Sequence, residues 1–95
     1  MRIIWSRQSL SDLQAIHEYI AKDSERYADV TVARIFSAVE GLVQFPNAGR
    51  IVPERNEPAI REIIVGLFRV VYRVRDEVVE VATVFRASRT FPEIM

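Results

Sequence analysis

The sequence predicts an α+β fold in which an antiparallel helical hairpin packs on one face of a mostly antiparallel sheet, with one extra strand in front. Three observations carry that prediction. Apolar residues recur every three or four positions between residues 10 and 43. From Ile60 to Arg86 the period changes to two. Between the halves, residues 45–58 hold three of the chain's four prolines and Gly49. No repeat or linker divides the chain, so residues 1–95 are expected to form one domain.

Each element has its own local reason. Arg2-Ile3-Ile4-Trp5-Ser6 alternates loosely in β-branched and aromatic types, which predicts a short strand. Ser9-Leu10-Ser11-Asp12 resembles a capping box, a serine with a carboxylate three residues later. Leu10, Leu13, Ile16 and Ile20 then form one stripe of a helix ending near Lys22. Asp23-Ser24 supplies a second cap. Ala28, Val32, Ile35, Val39 and Leu42, flanked by Phe36 and Val43, predict a second helix of about five turns with a wide buried face. It closes at Phe45-Pro46-Asn47-Ala48-Gly49, because proline cannot continue the ladder and glycine admits positive φ. The few residues between the helices make them antiparallel neighbours.

After a polar connection at 50–58, strands are expected at Ile60–Val65, Phe68–Arg75 and Val78–Arg86, with turns at Gly66 and Asp76-Glu77. The second turn lacks the usual glycine, which leaves its type open. The tail from Ala87 to Met95 has no period and is expected to be loosely ordered.

Composition removes several functions. The chain has no cysteine and one histidine, His17, so no disulfide frame, thiol nucleophile or His-rich metal site is expected, and no cofactor is implied. His17 borders the first apolar stripe and reads as a half-buried edge residue. Thirteen basic residues balance thirteen acidic ones, which argues against grip on bulk nucleic acid. No apolar run is long enough to span a bilayer, and the N-terminus turns polar too soon for a signal peptide. A cytoplasmic location is expected.

Alternation sorts the strand side chains. Phe68, Val70, Tyr72 and Val74 share one side, and Arg69, Val71, Arg73 and Arg75 the other. Strict alternation puts Val79, Val81, Thr83 and Phe85 on one side of the last strand, opposite Glu80, Ala82, Val84 and Arg86. The apolar faces belong against the helices, which leaves a free sheet face bearing Arg69, Arg73 and Arg86, with Arg61 or Glu62 according to register. Twelve of the thirteen basic residues are arginine. Its planar fork suits carboxylate or phosphate recognition better than proton transfer. Trp5 and Tyr72 read as core. Phe91 is the one aromatic that no local pattern buries, so it is either an anchor for a partner or a lid over the core.

The residues also resemble a known family. Trp5, Leu13, Ile16, Tyr19-Ile20, Ile35 and Leu42, then Phe45-Pro46-x-x-Gly49-Arg50-x-x-Pro53-Glu54, then Ile60-Arg61-Glu62-Ile63-x-Val65-Gly66 and Phe68-Arg69-Val70-x-Tyr72-Arg73-Val74, look like the ParE/RelE toxin superfamily over about residues 3–89. The resemblance implies the RelE/ParE-like fold and a toxin of a type II toxin–antitoxin pair. RelE-like members cut mRNA on the ribosome, which needs a proton acceptor, a proton donor and cations around the phosphate. RelE-like chains typically place Tyr or His near the C-terminus, and residues 84–91 here hold neither. Glu62 or Glu80 could serve as base, but an acid is missing.

The resemblance therefore favours the ParE-like branch. That branch implies a toxin that binds DNA gyrase stoichiometrically, blocks supercoiling and causes DNA damage, and that a ParD-like antitoxin neutralises. No catalytic residue is expected. Arg61, Arg69, Arg73, Arg86, Arg89 and Phe91 are the expected contacts with target or antitoxin. Many ParE-like chains carry a His shortly after the last strand, where this one has Phe85 or Arg86. The alternatives are a RelE-like ribonuclease and a ParE-like binding module without toxicity.

Overall fold

The structure is a computed structural model that describes residues 1–92. Strand β1 (Arg2–Trp5) leads into helices α1 (Arg7–Ala21) and α2 (Glu25–Glu40), and a short 3₁₀ turn, Gly41–Val43, follows α2. Strands β2 (Arg50–Ile51), β3 (Ile60–Val65), β4 (Phe68–Arg75) and β5 (Val78–Arg86) complete the chain. One sheet runs in the order β1-β5-β4-β3-β2. β1 lies parallel to β5 and every other pair is antiparallel. The helical hairpin covers one face, as the periodicities predict. β2 is a two-residue strand that the polar connection concealed.

The second helix starts where its sequence predicts, with the Ser24 hydroxyl accepting from the Tyr27 amide. The first does not. Ser6, not Ser9, is the cap: its Oγ accepts from Ser9 N at 3.0 Å and donates to the Ala82 carbonyl at 2.8 Å. Ser9 is buried one turn inside and donates its own hydroxyl to the Ser6 carbonyl. Asp12 is thereby released from capping and reaches across to β5, accepting from Thr83 Oγ1 at 2.5 Å and Val84 N at 2.9 Å. Leu10, counted in the apolar stripe, is 50% exposed, on the first turn of a helix that begins three residues before the expected start.

The helix side of the sheet holds two clusters. Leu13, Ile35 and Val39 pack on Phe68, Val70, Val81 and Val84, and Leu42 packs on Tyr72 and Val79. His17 is half-buried at the helix–helix seam, 2.7 Å from Asp29. The assignment of side chains along β5 needs correction. Val71 pairs with Thr83 but Tyr72 pairs with Val81, so Ala82 is an extra residue in a bulge. Beyond it the alternation inverts. Val84 joins the helix-side core with Val81, and Phe85 turns to the other face with Val71 and Ile60.

That other face is not free, contrary to the expectation from patterning. Val52 from the β2–β3 connection and Phe91 from the tail pack on Ile60, Val71 and Phe85. Phe91 is thus a lid, its ring edge-on to Phe85 at 5.7 Å. The expected loose tail is pinned at residues 87–92, where Ala87 N donates to the Leu67 carbonyl. Residues 93–95 lie outside the described residues.

Both hairpins turn through positive φ. Gly66 (φ 59°) occupies the first central position of its turn, as a type II′ turn needs. Asp76 and Glu77 take φ of 51° and 60°, which makes the glycine-free turn type I′. A non-glycine residue held there costs about 1 kcal/mol. Glu77→Gly should therefore raise the urea midpoint with an unchanged slope, by about 1 kcal/mol of stability.

Candidate functional site

Two features of the structure bear on function, an ion-pair brace and an apolar groove. The brace begins with the proline-bounded connection that follows α2. Gly49 comes so close to the sheet that a Cβ there would lie 2.6 Å from the Tyr72 hydroxyl. Its N–H donates to that hydroxyl at 3.0 Å, and the hydroxyl donates to the Pro46 carbonyl at 2.8 Å. Arg61 donates to the Gly49 carbonyl at 2.9 Å. Burial raises the Tyr72 pKa, opposed by the Gly49 hydrogen bond and the Arg61 charge. Tyr72 is thus a neutral donor in a structural turn.

Next along the chain, Arg50 Nε meets Glu62 at 2.6 Å, and Arg69 Nε meets the other oxygen of the same carboxylate at 2.6 Å. Arg69 closes the network with a bidentate fork onto Glu54, at 2.9 and 3.0 Å. Glu62 is 1% exposed and Arg69 7%. The Arg69 guanidinium also lies against both Phe85 and Phe91, 5.2 and 5.3 Å from their ring centroids. The hydrogen bond from Arg69 holds the Glu54 carboxyl down at about 2, and Glu54 in turn raises Arg69. Both oxygens of Glu62 are engaged by guanidinium, which removes it as a free proton acceptor.

The groove lies between the helical hairpin and the β3–β4 turn, with a cavity volume of about 600 Å³. Ile16, Tyr19, Ile20 and Tyr27 form one wall, and Val65, Leu67 and Phe68 form the other. Tyr19, Tyr27 and Leu67 are well exposed. Arg34, Arg86 and Arg89 stand on its rim, and none of the three makes an ion pair among the described residues. A shallower, polar hollow on the far side of the tail is lined by Glu54, Arg55, Arg69, Arg89 and Phe91.

The six side chains expected to contact a partner do not share one surface. Arg61 sits on the helix side, tied to the Gly49 turn. Arg69 is inside the brace and Phe91 covers it. Arg86 lies beyond the bulge, opposite Phe68 on the helix side, while Arg73 pairs with Glu80 on the other face. Arg89 lines both hollows. Arg86 and Arg89 line the same groove as Arg34, Tyr19 and Tyr27. Glu54 was visible only as part of Pro53-Glu54, because its partner is fifteen residues away in the chain. No group of three or more His, Cys, Asp or Glu among the described residues could hold a metal ion, and no helix is long and apolar enough to cross a membrane.

Comparison with known proteins decides the family. The family model described as the ParE toxin of the type II toxin–antitoxin system parDE matches residues 3–91. This chain belongs to the ParE toxin family. It is 34% identical over 96 residues to "Putative toxin Y4kP" of Sinorhizobium fredii, covering 99% of this chain and 96% of that one. It is 28% identical to "Toxin RelE2" of Caulobacter vibrioides, covering 93% and 97%. A solved chain from the chromosomal ParDE toxin–antitoxin system of P. aeruginosa superposes with a TM-score of 0.75 at 26% identity, covering 90% of this chain and 95% of that one. The Staphylococcus aureus YoeB dimer shares the fold, with a TM-score of 0.58 at 18% identity and coverage of 87% and 92%. Phe45-Pro46 to Pro53-Glu54, one of the segments that carry the resemblance, supplies Gly49, Arg50 and Glu54 to the brace.

Two outcomes test the brace. Arg69→Ala leaves the buried Glu62 with only the largely exposed Arg50 and should destabilise the fold by about 3–5 kcal/mol, read by urea unfolding. The Glu54 carboxyl is depressed from 4.5 to about 2, so its contribution is complete above pH 4.5 and lost as pH falls toward 2. Glu54→Gln should flatten the stability–pH curve across that window and leave the neutral-to-alkaline limb unchanged in shape.

Proposed function

We propose that this ParE-family toxin acts in the cytoplasm by binding DNA gyrase stoichiometrically, and that a ParD-like antitoxin neutralises it through the groove. The observation that carries this reading is an apolar groove of polypeptide dimensions rimmed by three arginines without internal partners. An amphipathic segment that is disordered when free would bury aliphatic side chains between Tyr19, Tyr27 and Leu67, and set carboxylates against Arg34, Arg86 and Arg89. Family membership supports gyrase as target. The brace supports binding rather than catalysis, since Arg61, Arg69 and Glu62 serve the fold.

A supercoiling assay with purified toxin tests the target. Loss of supercoiling with accumulation of cleaved plasmid is the expected result. Cleavage of mRNA on translating ribosomes with gyrase unaffected would transfer the assignment to ribonuclease chemistry, the alternative that the RelE2 relative raises. Neither activity, with normal growth on expression, would leave a binding module.

The groove has its own test. Arg86→Glu combined with Arg89→Glu changes exposed residues only. It should weaken antitoxin binding about tenfold or more while leaving the unfolding midpoint in place. Unchanged affinity would sink the groove as the antitoxin site.

A further inference from the structure

The sheet ends at β1, a four-residue strand whose outer edge pairs with no other strand. Natural edge strands are blunted by lysine, proline, bulges or a covering segment. Arg2–Trp5 contains neither lysine nor proline, and its register with β5 runs unbroken from Arg2–Val78 to Trp5–Val81. The amides of Arg2 and Ser6 donate inward, to the carbonyls of Glu77 and Val81. In a parallel ladder the inward and outward groups alternate, so the N–H and C=O of Ile3 and Trp5 point away from the sheet. The opposite edge, β2, is only two residues long.

The two faces of this edge differ in chemistry. Ile3 and Trp5 point to the helix side, where the Trp5 ring packs against Phe36 with centroids 4.7 Å apart, and Phe36 remains 37% exposed. On the other face stand Arg2 and Ile4, both exposed. Arg2 makes no ion pair among the described residues. A strand laid along β1 would present alternate side chains to an aromatic ledge and to a guanidinium.

We propose that the outer edge of β1 docks an extended segment of a partner protein in which apolar and acidic residues alternate, adding it to the sheet as a sixth strand. Backbone bonds to Ile3 and Trp5 supply the grip, apolar side chains cover Trp5 and Phe36, and carboxylates meet Arg2. The exposed guanidinium of Arg2 favours an occupant that carries carboxylates on that face. The site uses none of the groove residues, so it stands or falls separately from the antitoxin reading.

Trp5 is the only tryptophan in the chain and reports on the edge directly. The probe is a capped heptapeptide alternating valine and glutamate, with a lysine-for-glutamate version as control. The acidic peptide should shift Trp5 emission saturably and slow hydrogen exchange at the Ile3 and Trp5 amides about tenfold or more. Arg2→Glu, an exposed change, should weaken that binding about tenfold. Ile3→Pro removes an outward N–H while the inward ladder keeps its donors, and it should abolish the protection. Equal binding of the lysine peptide, protection confined to other amides, or no binding of the acidic peptide would each overturn the proposal. So would a concentration-dependent Trp5 shift without peptide, which would mean that the edge pairs with itself.

Discussion

A carboxylate buried between two guanidiniums organises this molecule. Glu62 has almost no contact with water, and each of its oxygens meets a different arginine. A charge so placed is tolerable only while its partners hold position, because desolvation of an unpaired carboxylate costs several kcal/mol. The requirement propagates outward. Arg50 must stand at the sheet edge, which makes β2 a strand. Arg69 must lie against the edge-on pair Phe85 and Phe91, which draws the tail over the sheet. Glu54 must return to the Arg69 fork, which folds the β2–β3 connection over the same face. The loop and the tail are ordered by one charge.

This arrangement separates the arginines into two populations. Those within the brace act on the chain itself, and their donors are directed inward. Those on the groove rim face solvent beside exposed tyrosines and a leucine. A small neutral protein thereby presents local positive charge beside apolar surface, a combination suited to acidic, amphipathic polypeptide rather than to a uniform phosphate backbone. The free β1 edge belongs to the same picture. The fold covers one sheet face with helices and much of the other with loop and tail, while the end strand stays open.

The bulge at Ala82 shows how much one residue decides. By strict alternation Phe85 belongs with Val79 and Val81, and Arg86 stands beside Arg69. With one residue unpaired, Phe85 crosses to stack on Arg69 and Arg86 crosses to the groove rim. Without the bulge Phe85 would not face Arg69 and Phe91. The same irregularity brings Thr83 and Val84 to Asp12, where α1 is fastened to the sheet.

The order of elements, the helical hairpin, the three long strands and the ParE/RelE likeness were legible because they rest on local periodicity and on turn residues. Period alone identifies a stripe or a face. The cap at Ser6 was hidden because a serine three residues later offers the same local chemistry, and only the Ala82 carbonyl distinguishes them. The face of Arg86, the burial of Arg69 and the lid formed by Phe91 depend on partners distant in the chain or across the sheet. A one-residue register shift inverts a face without leaving any mark on composition. Local sequence therefore determined the long helices and strands and where the arginines lie along the chain. Tertiary structure alone decided which of them pair with the brace carboxylates and which stand at the groove rim, because charge pairing depends on distance in space.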